Sequence, residues 1–130
     1  MKLLLDTHIW IWILSDRARL APRIVQALQN LTNELWLSPI SIWELVILVE
    51  KRRLVLNLDT EEWIAQAANT MPIKEAPLTA EVVLATRQLR LPHRDPADLF
   101  LAATAKVFEL TLVTSDTRLL ATKGISILRA

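Results

Sequence analysis

The sequence contains no cysteine. That excludes disulfide scaffolds, cysteine-ligated zinc, iron–sulfur clusters and thiol nucleophiles. Glycine occurs once, at Gly124. A phosphate-cradling loop or a dinucleotide fingerprint needs several glycines early in the chain, so neither is encoded. Charge of one sign is not in excess, since 15 basic and 14 acidic side chains leave a formal net charge of +1. No basic tail announces a nucleic-acid binder, although a balanced sum does not forbid a local patch. Long apolar runs are missing too. The longest uncharged stretch, Trp63 to Ile73, is 11 residues and includes Gln66, Asn69 and Pro72. A spanning helix needs about 20 apolar residues, so no membrane segment is expected. The opening Met-Lys-Leu-Leu-Leu is interrupted by Asp6 and lacks a small-residue cleavage site, which implies a cytoplasmic protein.

What remains is apolar and continuous. Of the 130 residues 52% are hydrophobic, enough for a buried core and slightly rich for a small monomer. No repeat or linker divides the chain, so a single domain over residues 1–130 is expected. Short apolar runs at Leu3–Leu5, Leu35–Leu37, Pro72–Ala76, Thr111–Thr114 and Ile125–Leu128 read as strands. Between them lie helical patterns. Thr7 is read as the cap of a helix through Leu14. Pro22 opens one to Leu31, with Ile24, Val25, Leu28 and Leu31 as its apolar face. Ser38-Pro39 opens one to about Arg52, in which Ile40, Trp43, Ile47 and Leu48 recur at helical spacing. Asp59 with Glu62 suggests a capping box for a helix over Thr60–Asn69. Thr79 caps one to Leu89, Leu91–Pro96 is a loop, Pro96 leads a helix to Phe108, and Asp116–Leu120 is a short helical turn. Alternating strands and helices imply an α/β fold with a parallel sheet covered on both faces.

The informative residues are carboxylates in apolar surroundings. Asp6 and Asp116 each follow an apolar strand at its carboxyl end, the edge where open parallel sheets bind ligands. Either alone could simply cap the next helix. Glu44 and Asp98 are harder to explain that way. Glu44 shares a helix face with Ile40, Ile47 and Leu48, and Asp98 shares one with Leu101, Ala102 and Ala105. Asp95, three residues before Asp98, adds to the repulsion. An unpaired carboxylate in a low-dielectric interior costs several kcal/mol, roughly, or takes up a proton.

A divalent cation resolves the conflict, and an all-oxygen donor set favours Mg²⁺ or Mn²⁺ over zinc. Such a site stabilises charge on a phosphodiester and acidifies a water that attacks phosphorus, so metal-assisted phosphodiester hydrolysis is the expected chemistry. His8 and His93 could assist, although a lone histidine is more often structural. Candidate contacts to a nucleic-acid backbone are Arg17 and Arg19, Arg52 and Arg53, and Arg87, Arg90 and Arg94, with Arg118 beside the last acid. Each is individually more ordinary as a solvated charge. The tryptophans Trp10, Trp12, Trp36, Trp43 and Trp63 read as packing or interface anchors ahead of base-stacking platforms, four of the five lying in expected helices.

Taken together, Leu-Leu-Asp6-Thr-His, Ser-Ile-Trp-Glu44, Asp95-Pro-Ala-Asp98 and Leu-Val-Thr-Ser-Asp116 resemble a PIN domain. More narrowly, the chain resembles VapC-type toxins of toxin–antitoxin pairs over its whole length. The resemblance implies a three-layer α/β/α sandwich with a five-stranded parallel sheet and a Mg²⁺- or Mn²⁺-dependent endoribonuclease. It implies Asp6, Glu44, Asp98 and Asp116 as catalytic metal-holding acids, with Asp95, Thr114 and Thr7 as accessory groups. Arg17, Arg94 and Arg118 are the expected substrate contacts. Partners would be an RNA substrate, a VapB-like antitoxin whose tail covers the site, and a second copy in a homodimer. Leu99 stands where the family frequently has arginine, a change read as loss of a salt bridge or phosphate contact.

Rival readings fit less well. A haloacid-dehalogenase-type phosphatase needs a second aspartate two residues after the first, where this chain has His8. A response-regulator receiver needs an acidic pair before the first helix and a phosphoacceptor aspartate on a middle strand. A deoxyribonuclease could use the same acids, since the 2′-OH leaves no mark here. A catalytically inactive PIN-like interaction module would ordinarily have lost some of them.

Overall fold

The computed structural model describes residues 1–91 and 95–130. Five strands form one sheet: β1 (Lys2–Leu5), β2 (Glu34–Leu37), β3 (Ile73–Glu75), β4 (Thr111–Thr114) and β5 (Ser126–Arg129). Among the described residues six α-helices connect them: α1 (Thr7–Ser15), α2 (Pro22–Gln29), α3 (Pro39–Glu50), α4 (Thr60–Thr70), α5 (Ala80–Ala85) and α6 (Pro96–Val107). Every pairing is parallel, in the order β3-β2-β1-β4-β5. The sheet therefore grows outward in both directions from β1, and its topological switch point lies between β1 and β4.

Burial explains why the strands read as unbroken apolar runs. Leu3, Leu4 and Leu5 are all fully buried. Leu3 and Leu5 join Leu35, Leu37 and Val113 in a core with Ile9, Trp10 and Ile13 of α1, Ile24 and Leu28 of α2, and Trp63 and Ala67 of α4. Leu4 and Leu112 face the other way, onto Leu101 and Ala105 of α6. Behind them Val82 and Ala85 of α5 pack on Ala102 and Ala103. This is the expected three-layer α/β/α arrangement, with both sheet faces covered. No helix among the described residues is long and apolar enough to cross a membrane.

Several local expectations change. Asp6, not Thr7, is the N-cap of α1, its carboxylate accepting from the Thr7 amide at 2.7 Å. Helix α2 stops at Gln29, and Leu31 beyond it is 90% exposed instead of lying on the apolar face. Trp43 also faces solvent, at 52%. Helix α3 is apolar nearly all round, so helical spacing could not say which side turns inward; Ile40, Ser41 and Leu45 do. Asp59 precedes α4 without a side-chain cap bond, so the capping box is not made. The segment expected as a helix to Leu89 is α5 followed by a 3-10 turn at Thr86–Gln88. After Asp116 the chain makes i→i−3 turns closed by Leu119, Leu120 and Thr122 amides, without a helix.

Two helices end in a way that reflects the scarcity of glycine. Helix α3 closes with the Arg52 amide on Val49 and the Arg53 amide on Leu48, and α6 with Glu109 on Lys106 and Leu110 on Ala105. That paired closure needs a left-handed residue at the turn, a place usually given to glycine. Here Arg52 (φ 56°) and Glu109 (φ 53°) occupy it. Each pays roughly 1 kcal/mol in backbone strain for doing so.

Candidate active site

Three helices begin at the carboxyl edge of the sheet, and their starts build the site. Asp6 caps α1 directly after β1. Ser38 caps α3 directly after β2, its hydroxyl accepting from the Ile40 amide at 3.0 Å. Asp95 caps α6, accepting from the amides of Ala97 and Asp98. Strand β4 delivers Thr114, Ser115 and Asp116 to the same edge. Because β1 and β4 flank the switch point, Asp6 and Asp116 face one crevice. Helix α3 packs on both α1 and α6, which brings Glu44 and Asp98 in from either side.

The outcome is a cleft of about 270 Å³ lined by Asp6, His8, Trp12, Glu44, Asp95, Asp98, Ser115, Asp116 and Arg118. Five carboxylates from four separate segments thus share one opening. Asp6 and Asp98 are buried, at 8% and 6% exposure. Glu44, Asp95 and Asp116 are half-buried.

Each acid is held differently. Asp6 accepts from the buried Thr114 hydroxyl at 2.7 Å, and the Asp116 amide donates to that same hydroxyl at 3.0 Å, so Thr114 ties the two acids together. Burial pushes the Asp6 carboxyl above its ordinary value, against the pull of the Thr114 and Thr7 hydrogen bonds. Glu44 accepts a short hydrogen bond from Thr7 Oγ1, which also lies 2.9 Å from Ser41 Oγ. Burial, followed by repulsion from Asp6, Asp95 and Asp98, pushes Glu44 up to about 7, with Thr7 holding it back. Asp116 is gripped by Arg118 through Nη2 at 2.8 Å and Nε at 3.1 Å, and that guanidinium stands 3.9 Å from Asp98. The bond to Asp116 raises the Arg118 pKa, so the guanidinium stays charged.

As the side chains stand, no group of three or more His, Asp or Glu among the described residues forms a ready-made ion site. The hydroxyls of Thr7 and Thr114 and the Arg118 guanidinium occupy the oxygens instead. All four principal acids, Asp95 and the two threonines nevertheless come together. Arg118 is at the cleft as expected, but bound to acid. Arg17 is not: it donates to the Ile13 carbonyl and lines a separate groove with Leu28 and Asn30, because the chain turns away from the cleft after α1. Arg94 and His93, with Pro92, lie outside the described residues. Reading the sequence missed Trp12 and Ser115 as lining groups, and the buried Ser41 behind Thr7. The signal was available for Trp12, which falls one helical turn after His8 on α1, and the two rings meet at 5.6 Å.

Comparison with known proteins decides the family. The PIN domain model matches residues 3–125. The chain belongs to the PIN domain family. Ribonuclease VapC22 of Mycobacterium tuberculosis is 34% identical over 119 residues, spanning 89% of this chain and 88% of that protein. Among solved structures this PIN domain is similar to a chain of VapBC2 from Rickettsia felis bound to a promoter DNA fragment, with TM-score 0.74 and 18% identity over 99% of this chain and 98% of that one. It is also similar to a chain of FitAcB from Neisseria gonorrhoeae, with TM-score 0.62 and 25% identity over 98% and 96%. The first of these likenesses concerns the fold alone.

Proposed function

We propose that this PIN domain is a Mg²⁺- or Mn²⁺-dependent endoribonuclease and the toxin of a VapB-like toxin–antitoxin pair, working in the cytoplasm as a homodimer. The observation that carries the chemistry is the convergence of five carboxylates on one cleft at the switch point of the sheet. Their donor set is all oxygen, it is crowded with like charge, and it lies open to solvent, which fits a hard divalent cation. Asp6, Glu44, Asp98 and Asp116 would hold it, after giving up part of their present bonds to Thr7, Thr114 and Arg118. When bound, such a cation neutralises the acids, stabilises charge developing on a phosphodiester and acidifies a water.

The chain's own residues do the rest. Thr114 fixes Asp6 and Asp116 relative to each other, and Thr7 fixes Glu44. Asp95 holds the first turn of α6, and with it Asp98, in place. In the metal-free cleft burial and the neighbouring acids hold the Glu44 pKa near 7, and a bound cation would favour its charged form. Arg118 is placed either to bind a phosphate or to hold Asp116 until one arrives. Toxin role, RNA substrate and antitoxin partner are supported by the curated VapC relative and by the VapBC complexes that share the fold. Val83 and Leu84, left exposed on α5, are apolar surface of the kind a second copy or a partner covers.

The test is twofold. Mn²⁺ or Mg²⁺ should raise the melting temperature in a concentration-dependent way, and RNA cleavage should stop in chelator. Cleavage that survives chelation would overturn the metal-dependent mechanism.

A further inference from the structure

The acid cleft does not end at Trp12. A second groove, of about 370 Å³, shares His8 and Trp12 with it and runs on past Ile11 and Ser15 to Arg19 and Arg53. The two depressions have opposite electrical character. Among the described residues the first is walled by five carboxylates and one arginine, the second by two arginines and one carboxylate, Asp16. Trp12 is the ridge between them. The indole packs against the core, its ring meets His8 at 5.6 Å, and the Arg19 guanidinium lies over the ring at 5.5 Å in a cation–π contact.

Both arginines are positioned by backbone features and not by deep ion pairs. Arg19 ends a 3-10 turn, and its Nε meets Asp16 at 3.1 Å while the side chain stays 61% exposed. Arg53 is exposed and follows the left-handed Arg52, its amide closing on Leu48 at 2.9 Å. An exposed pair with a single aspartate is worth little to stability, so these charges remain available to an incoming anion. A stacking ring next to guanidinium groups, contiguous with a site for phosphodiester chemistry, matches the way single strands are held.

We infer that Trp12, Arg19 and Arg53 form a flanking-nucleotide subsite: a single-stranded RNA leaves the acid cleft across His8 and Trp12, and the two arginines bind the phosphates on that side of the scissile bond. This rests on the nuclease reading above, and it moves the substrate contact from Arg17 to Arg19 and Arg53. The indole holds the Arg19 guanidinium over its ring and so fixes that charge beside the path of the strand. Recognition on this side is therefore through backbone charge.

The experiment uses the full chain with Mg²⁺ and a fluorescein-labelled single-stranded RNA of about 12 nucleotides. Arg19→Ala/Arg53→Ala should raise KM about tenfold, as removal of charge-assisted hydrogen bonds does, with little change in kcat. The dependence of log K on log salt should flatten by about 0.7 for each phosphate that no longer has an arginine beside it. Arg19→Lys/Arg53→Lys should restore most of the slope, and Arg17→Ala, in its separate groove, should change neither quantity. If wild type cleaves RNA and the double alanine variant keeps its KM and salt slope, the subsite is wrong and the nuclease reading stands. If wild type neither binds nor cleaves the RNA with Mg²⁺ or Mn²⁺, the nuclease reading itself has failed and the subsite falls with it.

Discussion

The two sides of the acid cleft solve one electrostatic problem in opposite ways. On one side Asp6 and Glu44 face uncharged partners, the hydroxyls of Thr114 and Thr7, and burial pushes both carboxyls up. On the other side Asp116, with Asp98 nearby, is compensated by a full positive charge on Arg118. A hydroxyl stabilises a carboxylate without cancelling its charge, so the first side stays electrostatically hungry for a cation. A guanidinium offsets part of the charge, so the second side would have to give up Arg118 before a cation could use it. The cleft is thus half primed and half guarded.

The largest expected effect ignores that distinction. Asp6→Asn or Asp98→Asn should each lower RNA cleavage by more than the roughly 100-fold that loss of an outer partner of a metal ligand costs. The fold should remain, with equal or higher thermal stability in chelator, because one repelling charge has gone; unchanged cleavage in both variants would remove these acids from the mechanism.

The next two substitutions separate the sides. Thr7→Val strips the hydroxyl from Glu44 and should weaken Mn²⁺ binding about 10-fold, by analogy with other outer partners. Arg118→Ala removes the guanidinium from Asp116 and should tighten Mn²⁺ binding in the absence of RNA, measured by calorimetry. Equal signs for the two variants would erase the contrast between primed and guarded.

A smaller effect follows from Glu44 alone. Its folded pKa of about 7 lies above the ordinary 4.5. Between those values the unfolded chain has released a proton that the folded chain keeps, so metal-free stability falls as pH rises through that window. Allowing for solvent at this half-buried site, the loss is about 1–2 kcal/mol. Urea unfolding in chelator from pH 4.5 to 7.5 should show it in wild type, and Glu44→Gln should abolish that component.

How much of this was legible in the sequence depends on what surrounds each residue. Asp6, Glu44, Asp98 and Asp116 stand out because they interrupt apolar runs, and an acid among leucines and alanines has few structural uses. The alternation of strand and helix is equally plain, since Leu3–Leu5 and Leu112–Val113 are buried on both faces of the sheet. Trp43 and Leu31 were misplaced for the reverse reason. In α3 nearly every residue is apolar, so the pattern carries no phase, and α2 ends before its last expected apolar position. The arginines were illegible in another sense. Arg17 and Arg19 are two residues apart and look equivalent, yet the 3-10 turn after α1 sends them to different grooves.

The two left-handed helix ends at Arg52 and Glu109 carry a practical consequence. Both lie outside the residues that line the acid cleft, and both hold a conformation that suits a residue without a side chain. Glu109→Gly should raise stability by about 1 kcal/mol without touching catalysis, the smallest of the expected effects and readable as a rise in melting temperature. Arg52→Gly offers the same gain one residue from Arg53. A chain so sparing of glycine carries reserve sturdiness that one codon change can release, a convenient background on which to keep damaging cleft variants folded.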